Sequence, residues 1–327
     1  AERNSDGTYA YTRDLVSAVK DSIVYIEVYV NYRGQETLYG AGSGIIISKD
    51  GYIITNAHVA ENDYYTVTKL VVNVNTTDPN NGTSVSTAYE ADLLGSDTDT
   101  DLAVLKIKPD SDLPAAALGD SDKLSLGDDV VVIGNPLGLE TSVSKGVVSG
   151  LNRQVYDDNS ISAIQTDTAI NSGNSGGGLF NMNGELIGIV NAKSSSSDAE
   201  GLGFAIPIND AIKVAQDLLE NGYVTGRPYM GITYLAVNDA QTAAQLGVNA
   251  YGIYVVDVVS GGPADKAGLK AGDRIVSIDN TEVAQKTDLG TLMQKHAAGD
   301  TLSITIAREG QMQTVNVTLG EKTASNS

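Results

Sequence analysis

The feature that most constrains the fold is a succession of short apolar segments separated by tight turns. The segments have the β-branched character of strands, as in "IVYIEVYV" (23–30), "GIIIS" (44–48), "DLAVLKI" (101–107) and "DDVVVIG" (128–134). Turns rich in Gly, Asp and Asn divide them, at a spacing typical of a β-sandwich or β-barrel. The composition of 35 glycines, two phenylalanines and no tryptophan suits many short strands. The sequence therefore predicts a mainly β fold.

The periodicity changes at "PINDAIKVAQDLLENG" (207–222), which predicts a helix that closes a first domain. Asp210 is the predicted N-cap of this helix and Gly222 its end. The predicted apolar face consists of Ile212, Ala215, Leu218 and Leu219.

This change of pattern divides the chain into three predicted segments. A first domain with a short N-terminal helix is predicted over 1–223, and the strand and helix patterns after it predict a small α+β domain over 224–320. The polar residues 321–327 are predicted to be a disordered tail.

Charge and residue usage exclude several classes of function. The formal net charge of −20 disfavours nucleic acid as a partner, because phosphate binding needs a basic surface. The absence of cysteine excludes disulfides, thiol catalysis and thiolate metal sites. No apolar run is long enough to span a membrane. The first residues show no signal peptide, so we expect a cytoplasmic protein or one that lacks its export or anchor segment here.

Histidine is scarce, and this narrows the search for a catalytic base. His296 lies in "LMQKHAAGD", where we expect a solvated residue. His58 lies in "ITNAHVA", directly after an apolar strand, a position that fits either a structural histidine or a general base.

A glycine-rich turn supplies a candidate nucleophile. Residues 171–179 read "NSGNSGGGL" and contain Ser172 and Ser175. An acyl-transfer nucleophile needs a sharp turn whose N–H groups point at the developing oxyanion, and flanking glycines permit such a turn. The string by itself is also typical of an ordinary loop. Ser175 has glycines on both sides within "GNSGG", whereas Ser172 lacks this pattern and is assigned to the loop wall.

Three aspartates precede the strand-like segment 102–107, namely Asp97, Asp99 and Asp101. Asp101 directly abuts the apolar run and would lie at the mouth of a buried strand, whereas the other two have the setting of exposed turn residues. The carboxylate that orients an imidazole must be partly desolvated, so we assign this role to Asp101. The chain order His58, Asp101, Ser175 is that of chymotrypsin-like proteases. The aspartates lack the glycine and distal glutamate of an EF-hand, and no metal or cofactor is implied.

Together these motifs resemble those of the HtrA/Deg serine proteases. "TNAHV", "DLAVLKI", "GNSGGGL" and "GLGFAIP" resemble the protease motifs of that family, and "YMGI" with "PADKAGLKAGDRIVSIDN" resembles its PDZ domain. The resemblance covers residues 12–320. It implies a chymotrypsin-like double β-barrel followed by one PDZ domain rather than two, with Ser175 as nucleophile, His58 as general acid and base, and Asp101 as its orienting partner.

The same resemblance implies the secondary sites. The oxyanion hole maps to the backbone N–H groups of Gly173 and Ser175, with Asn174 between them. The position six before the nucleophile, Ala169, would form the floor of the specificity pocket with Ile170 beside it. An acid is missing there, so we expect cleavage after small or medium apolar residues. A terminal carboxylate of a peptide would bind the PDZ loop formed by Tyr229, Met230, Gly231 and Ile232.

The function expected from this resemblance is an ATP-independent serine endopeptidase of protein quality control and stress response. Unfolded polypeptides are the expected substrates, with C-terminal peptides bound at the PDZ domain. A homo-trimer or larger assembly and an extracytoplasmic, anchored or exported location follow from the family alone. Two alternatives stay open at this stage: a chaperone-like binding protein, and a peptide-sensing scaffold whose catalysis is vestigial.

Overall fold

A computed structural model of the chain describes residues 1–62, 64–78, 81, 83–135, 141–154, 162–192 and 202–323. The chain divides into two compact units, one ending at Tyr223 and the other extending from Val224 to the C-terminus. Each unit has its own hydrophobic core. None of the helices in the described ranges combines the length and the apolar character needed to cross a membrane.

The first half of the first unit is a closed antiparallel barrel. Its strands are β1 (Ile23–Tyr32), β2 (Gln35–Ile46), β3 (Tyr52–Thr55), β4 (Val67–Thr77), β5 (Ser84–Asp97) and β6 (Leu102–Lys106). They pair in the order β1-β2-β3-β6-β5-β4, and β1 pairs with β4 to close the ring. Alternate residues of β1, namely Val24, Ile26 and Val28, point into the core, as the period of a strand requires.

The second half of this unit is another barrel. Its strands are β7 (Ala117–Leu118), β8 (Asp129–Gly134), β9 (Ser142–Gln154), β10 (Ser162–Thr166), β11 (Gly178–Asn181), β12 (Glu185–Asn191) and β13 (Gly203–Pro207). Pairing runs in the order β11-β8-β9-β10-β13-β12, and β11 also pairs with β12, which joins the two ends. The short β7 lies parallel to β12. The predicted chymotrypsin-like double barrel is therefore confirmed.

In the described part of this unit, the barrels are accompanied by the helices α1 (Thr12–Val19), α2 (Ala57–Ala60) and α3 (Ile208–Asn221). The end of α3 is as predicted, because Gly222 has a left-handed φ of 79° and its N–H donates to the Leu218 carbonyl. The predicted N-cap at Asp210 is wrong, since the helix starts directly after Pro207 and Asp210 lies in its first turn. Pro207 has the φ of −57° that leads into a helix and places Ile208 in the core.

The buried face of α3 also differs from the predicted one. Ala215 and Leu218 are buried as expected, but Leu219 is exposed, and the remaining buried positions are Ile208, Ala211 and Val214. This face packs against β5, β6, β12 and β13, so the helix contacts strands of both barrels. At the closest approach, the Leu218 side chain lies over Gly95 of β5, where a Cβ would be about 3.0 Å away.

The second unit is a small sheet with helices. Its elements are β14 (Pro228–Tyr229), β15 (Ile232–Val237), α4 (Ala240–Leu246), β16 (Gly252–Val258), α5 (Pro263–Ala267), β17 (Arg274–Ile278), β18 (Thr281–Glu282), α6 (Lys286–Met293), β19 (Thr301–Arg308), β20 (Gln311–Thr318) and β21 (Gly320–Glu321). The sheet order is β15-β16-β17-β19-β20, with β18 paired to β17, so β15 is an edge strand. The core contains Ile253, Ile275 and Leu302.

The structure also corrects the position at which the predicted disordered tail starts. Glu321 pairs with Pro228 in the two-stranded β14–β21 ladder, and the Lys322 N–H donates to the Arg227 carbonyl at 2.9 Å. The Glu321 carboxylate also accepts the N–H of Gly226 at 2.7 Å. Residues 321 and 322 are therefore ordered, because they bind the segment that begins the second unit. Residues 324–327 lie outside the described part of the chain.

Candidate active site

His58 is held at the end of a buried strand. The side chains of Ile53 and Ile54 in β3 are fully buried, and the chain then turns into α2, which carries His58. The backbone N–H of His58 donates to Asp101 Oδ1 at 2.9 Å. The preceding Asn56 side chain donates from Nδ2 to the Asp101 carbonyl at 3.1 Å. Two hydrogen bonds therefore fix the His58 segment to the turn before β6.

The structure distinguishes Asp101 from Asp97, one of the other two candidate aspartates. Asp97 accepts hydrogen bonds from the N–H and the hydroxyl of Thr100, so its carboxylate stabilises the turn itself. Asp101 is 6% exposed and has a left-handed φ of 56°, a conformation that aspartate tolerates better than most residues. With this backbone conformation, the Asp101 carboxylate faces His58. The role of Asp101 as the group that orients His58 stays a prediction.

Ser175 is presented on a turn that only glycine can complete. A short 3₁₀ turn over Ser172–Asn174 leads into it, and Gly176 follows with a φ of 79°. A Cβ on Gly176 would collide with the Ser43 carbonyl and the Thr55 hydroxyl. The Ser175 loop (171–177) therefore packs directly on the first barrel, although Ser175 precedes a strand of the second. The side chain of Ser172 lies outside what the structure describes.

A continuous line of contacts joins the three side chains. Asp101 Oδ2 lies 2.6 Å from His58 Nδ1, and His58 Nε2 lies 3.1 Å from Ser175 Oγ. A proton on Nδ1 bonds to the carboxylate and leaves the Nε2 lone pair facing the hydroxyl. The N–H of Ala192 donates to the same Oγ at 3.2 Å. The arrangement can accept a proton from the hydroxyl and store it on an imidazolium beside a carboxylate.

Asn191 is a site residue that sequence reasoning missed. Its Nδ2 donates to Asp101 Oδ2 at 2.8 Å, and its side chain is fully buried at the end of β12. The Asp101 carboxylate thus accepts from Asn191, from His58 Nδ1 and from the His58 backbone. The available signal was weak: a polar residue directly after the apolar run "LIGIV". Its partner lies 90 positions away in the chain.

The predicted pocket residues lie beside the Ser175 loop. The carbonyl of Ala169 accepts from the Asn174 side chain at 3.4 Å, and its N–H donates to Ser144 Oγ at 2.8 Å. Ile170 packs against the core of the second barrel, with its side chain over Gly203. Neither of these two side chains carries charge, so neither offers a counter-ion to a basic substrate side chain.

Comparison with known proteins identifies the chain. A trypsin-like peptidase domain model matches residues 42–189, a span that contains His58, Asp101 and Ser175, and a PDZ domain model matches residues 228–319. The chain is 31% identical to a solved HtrA-type protease, AlgW with a decapeptide, at a TM-score of 0.63, covering 96% of this chain and 99% of that one. The chain belongs to the HtrA family of serine proteases.

The curated relatives that match this chain at 40% identity are longer than it is. It is 40% identical to the serine protease Do-like HtrA of Bacillus subtilis, over 88% of this chain and 65% of that protein. It is also 40% identical to a probable periplasmic serine endoprotease, DegP-like, of Halomonas elongata, over 86% of this chain and 56% of that protein. A solved serine endoprotease from Yersinia pestis matches with 34% identity and a TM-score of 0.64, covering 96% of this chain and 99% of that one. The chain therefore spans less than two thirds of these two curated HtrA relatives.

The PDZ domain of this HtrA protein has a well-anchored loop before its edge strand. The Met230 carbonyl accepts the N–H of Ala264 and the Gly231 carbonyl accepts the N–H of Val259, each at 2.9 Å. The Met230 side chain is buried in the core, and Gly231 has a φ of 78°. Ile232 then starts β15 at the sheet edge. The loop carbonyls are thus occupied inside the domain.

The second histidine belongs to this PDZ domain. His296 Nε2 lies 3.5 Å from Asp279 and its Nδ1 lies 3.7 Å from Asp300. It is half-buried rather than fully solvated. Over the described ranges, no group of three or more His, Asp or Glu side chains is placed to hold a metal ion.

Proposed function

We propose that this HtrA-family chain is an endopeptidase in which Ser175 is the nucleophile, His58 the general base and acid, and Asp101 the group that orients and stabilises His58. The observation that carries the proposal is the line of contacts from Asp101 Oδ2 through His58 to Ser175 Oγ, at 2.6 Å and 3.1 Å. Both distances lie within reach for proton transfer along a hydrogen bond.

The proposed reaction proceeds through an acyl-enzyme. Ser175 Oγ attacks the peptide carbonyl carbon while His58 Nε2 takes the hydroxyl proton, so a C–O bond forms and the carbonyl oxygen becomes an anion. His58 then gives the proton to the amide nitrogen and the C–N bond breaks. Water then attacks the acyl carbon as His58 takes its proton, and a new C–O bond forms. The C–O bond to Ser175 breaks as His58 returns this proton to Ser175 Oγ, which releases the acid product.

The proposed oxyanion hole consists of the N–H groups of Gly173 and Ser175, with Asn174 between them. The support is that this loop is anchored at several points: Ser43 donates from Oγ to the Gly173 carbonyl at 3.0 Å, and the Ser43 N–H donates to the Ser175 carbonyl at 2.9 Å. Donors held in place before the reaction stabilise a developing charge at little reorganisation cost.

We also propose cleavage after small or medium apolar residues, with Ala169 at the pocket floor and Ile170 beside it. The small uncharged side chain of Ala169 supports this preference, because it supplies no counter-ion to a basic substrate residue. A peptide-library digest tests it. A strong preference for Arg or Lys before the cleaved bond would contradict the assignment.

The PDZ domain is proposed to bind peptide C-termini through the loop of Tyr229, Met230, Gly231 and Ile232. The loop carbonyls bond inward, and β15 is an edge strand, so a peptide could extend the sheet. Unfolded polypeptides are the proposed substrates in protein quality control. An extracytoplasmic location is supported by relatives named periplasmic, and a homo-trimer or larger assembly is proposed from family resemblance.

One experiment tests the enzymatic proposal against its rivals. Wild type, Ser175→Ala and the matched control Ser172→Ala are incubated with unfolded casein and, separately, with a fluorophosphonate label. We expect wild type and Ser172→Ala to degrade casein and to be labelled, and Ser175→Ala to do neither. A chaperone-like protein would instead hold casein without cleaving it, and a peptide-sensing scaffold would bind C-terminal peptides without being labelled.

A further inference from the structure

A groove of about 340 Å³ opens beside the Ser175 hydroxyl. Its lining includes His58 and Ser175 as well as Tyr39, with further residues from the first barrel. Among the described residues that line it, neither Ala169 nor Ile170 occurs. The groove is therefore separate from the pocket proposed for the residue before the cleaved bond.

The chemistry of the site assigns this groove to one side of the substrate. His58 gives its proton to the leaving nitrogen, so the segment after the cleaved bond must pass close to His58. The residue before the cleaved bond is proposed to bind in the pocket at Ala169 and Ile170. A groove that shares His58 and Ser175 but not that pocket is positioned to receive the leaving-group segment.

A β-bulge directs Tyr39 toward this groove. In the β1–β2 ladder, Val28 pairs with Gly40 but Tyr29 pairs with Leu38, so Tyr39 is an extra residue on β2. A bulge leaves one residue out of the ladder and redirects its side chain, and such bulges are frequent next to active sites. Tyr39 lines the groove from this irregular position.

Tyr39 belongs to an exposed aromatic cluster, defined as Tyr32, Tyr39 and Tyr65. The ring of Tyr65 lies 5.4 Å from that of Tyr39 and 5.7 Å from that of Tyr32, both edge to face. The three residues are 43%, 50% and 36% exposed in chain order. Asn62, another groove residue, accepts the N–H of Tyr65 at 2.8 Å and holds its backbone. Packed but solvent-exposed aromatic rings are typical of recognition surfaces.

The groove also contains a negatively charged side chain. Glu61 lines it, and its carboxylate accepts a hydrogen bond from Ser96. Lys and Arg are absent from the described residues of the lining. An acidic substrate side chain in the groove would therefore meet a carboxylate without a cation.

We propose that the groove and the aromatic cluster form the subsite for the leaving-group segment, where they favour an aromatic side chain and disfavour an acidic one. The proposal rests on the proposed endopeptidase function of the same site. Its occupant is the part of the substrate polypeptide that follows the cleaved bond.

An acyl-transfer experiment directly compares how well different amines bind on the leaving-group side of the site. Ser175 is acylated with an N-acetyl-alanine ester, and the dipeptide amides Gly-Tyr, Gly-Ala and Gly-Asp compete to attack the acyl-enzyme. Each amine forms a C–N bond as the C–O bond to Ser175 breaks, and His58 moves the amine proton to the serine oxygen. Product ratios from mass spectrometry do not depend on how much enzyme is active.

For wild type we expect Gly-Tyr amide to be favoured over Gly-Ala amide by about tenfold, the effect of one good aromatic contact, and Gly-Asp amide to react least. Tyr39→Ala and Tyr65→Ala should bring the Gly-Tyr to Gly-Ala ratio close to one. Tyr39→Phe should preserve it because the ring remains. Tyr251→Ala, an equally exposed tyrosine of the PDZ domain, should leave ratio and hydrolysis unchanged.

The outcomes are distinct. The subsite would be overturned if wild type formed equal amounts of product from Gly-Tyr amide and Gly-Ala amide. It would also be overturned if the preference for Gly-Tyr amide survived in both Tyr39→Ala and Tyr65→Ala. A third outcome is self-association that depends on concentration and buries the aromatic cluster, together with equal products from Gly-Tyr amide and Gly-Ala amide. This result would assign the cluster to an interface between copies of the chain and would also overturn the subsite. Absence of any acyl-enzyme in wild type would instead refute the endopeptidase function on which the subsite rests.

Discussion

The Ser43 hydroxyl lies 3.0 Å from the carbonyl oxygen of Gly173. This hydrogen bond joins the first barrel to the Ser175 loop, which precedes a strand of the second barrel. The same hydroxyl accepts the N–H of Asn135 at 2.8 Å, and the Ser43 side chain is completely buried. One small side chain therefore sets the orientation of the peptide unit next to the proposed oxyanion donors.

The first prediction concerns this contact. Ser43→Ala should lower kcat on a peptide substrate by about 10- to 100-fold with little change in KM, because a loosened loop misplaces the donors while substrate binding continues. Steady-state kinetics and the rate of fluorophosphonate labelling check it. Ser22→Ala is the matched control, since Ser22 is equally buried and donates to the Val19 carbonyl at 2.6 Å. A similar loss in Ser22→Ala would indicate general destabilisation instead.

A second prediction separates charge from hydrogen bonding at Asn191. Asn191→Ala removes one donor to Asp101, whereas Asn191→Asp places a second carboxylate about 2.8 Å from the first. Two carboxylates at this distance cannot both be ionised without strong repulsion. We expect Asn191→Asp to lose at least tenfold more kcat/KM than Asn191→Ala, a difference of about 1.4 kcal/mol or more. Equal losses in the two variants would show that the lost N–H donor accounts for the effect and that the added charge contributes nothing.

The third prediction addresses an ion pair in the PDZ domain. Arg308 donates from Nε and Nη2 to the two oxygens of the buried Asp273 at 2.6 Å and 2.7 Å, and Nη2 also donates to the Gly268 carbonyl. The hydrogen bond to Asp273 raises the pKa of Arg308 above its ordinary value. Removing the cation would leave a buried carboxylate uncompensated, which costs about 3 to 5 kcal/mol.

Arg308→Met should therefore destabilise the second unit strongly, whereas the double variant Arg308→Met with Asp273→Leu should recover most of the loss. Urea unfolding of the full chain, with hydrogen exchange followed in peptides from residues 224–323, measures this. If the double variant were as unstable as Arg308→Met, the pair would contribute through packing rather than charge.

The fourth prediction is a pH dependence at Asp120. Its carboxylate accepts from Asn209 Nδ2 at 2.8 Å, at the start of α3, and lies 3.2 Å from Lys123 Nζ. The Asn209 hydrogen bond, followed by that from Lys123, lowers the pKa of Asp120. A pKa depressed in the folded state stabilises the fold above the ordinary aspartate value, and this contribution disappears as the pH falls through the folded pKa.

Asp120→Asn should accordingly lower the Tm at neutral pH by about 1 to 2 °C, and the difference from wild type should shrink as the pH is lowered to about 2.5. Thermal unfolding at several pH values checks it. Asp112→Asn serves as control, because its exposed carboxylate lies 3.8 Å from Lys49. A difference that grows toward acid would contradict the assigned sign.

Local patterns accounted for much of the fold. Strand character could be read from alternating β-branched residues, and the end of α3 from Gly222, since both depend on neighbouring residues. The same reading failed for Asp210 and Leu219. A single helix segment has several plausible apolar faces, and the strands it packs on decide which one is buried.

The sequence by itself determined the family and the three candidate side chains, because His58, Asp101 and Ser175 each lie in a short motif that is recognisable without its partners. The tertiary structure alone decided what surrounds them. Ser43 and Asn191 act across 130 and 90 positions of the chain, and Tyr39 enters the groove through a bulge in strand pairing. Barrel closure and strand register bring such residues together, and these depend on the packing of the whole domain rather than on neighbouring residues.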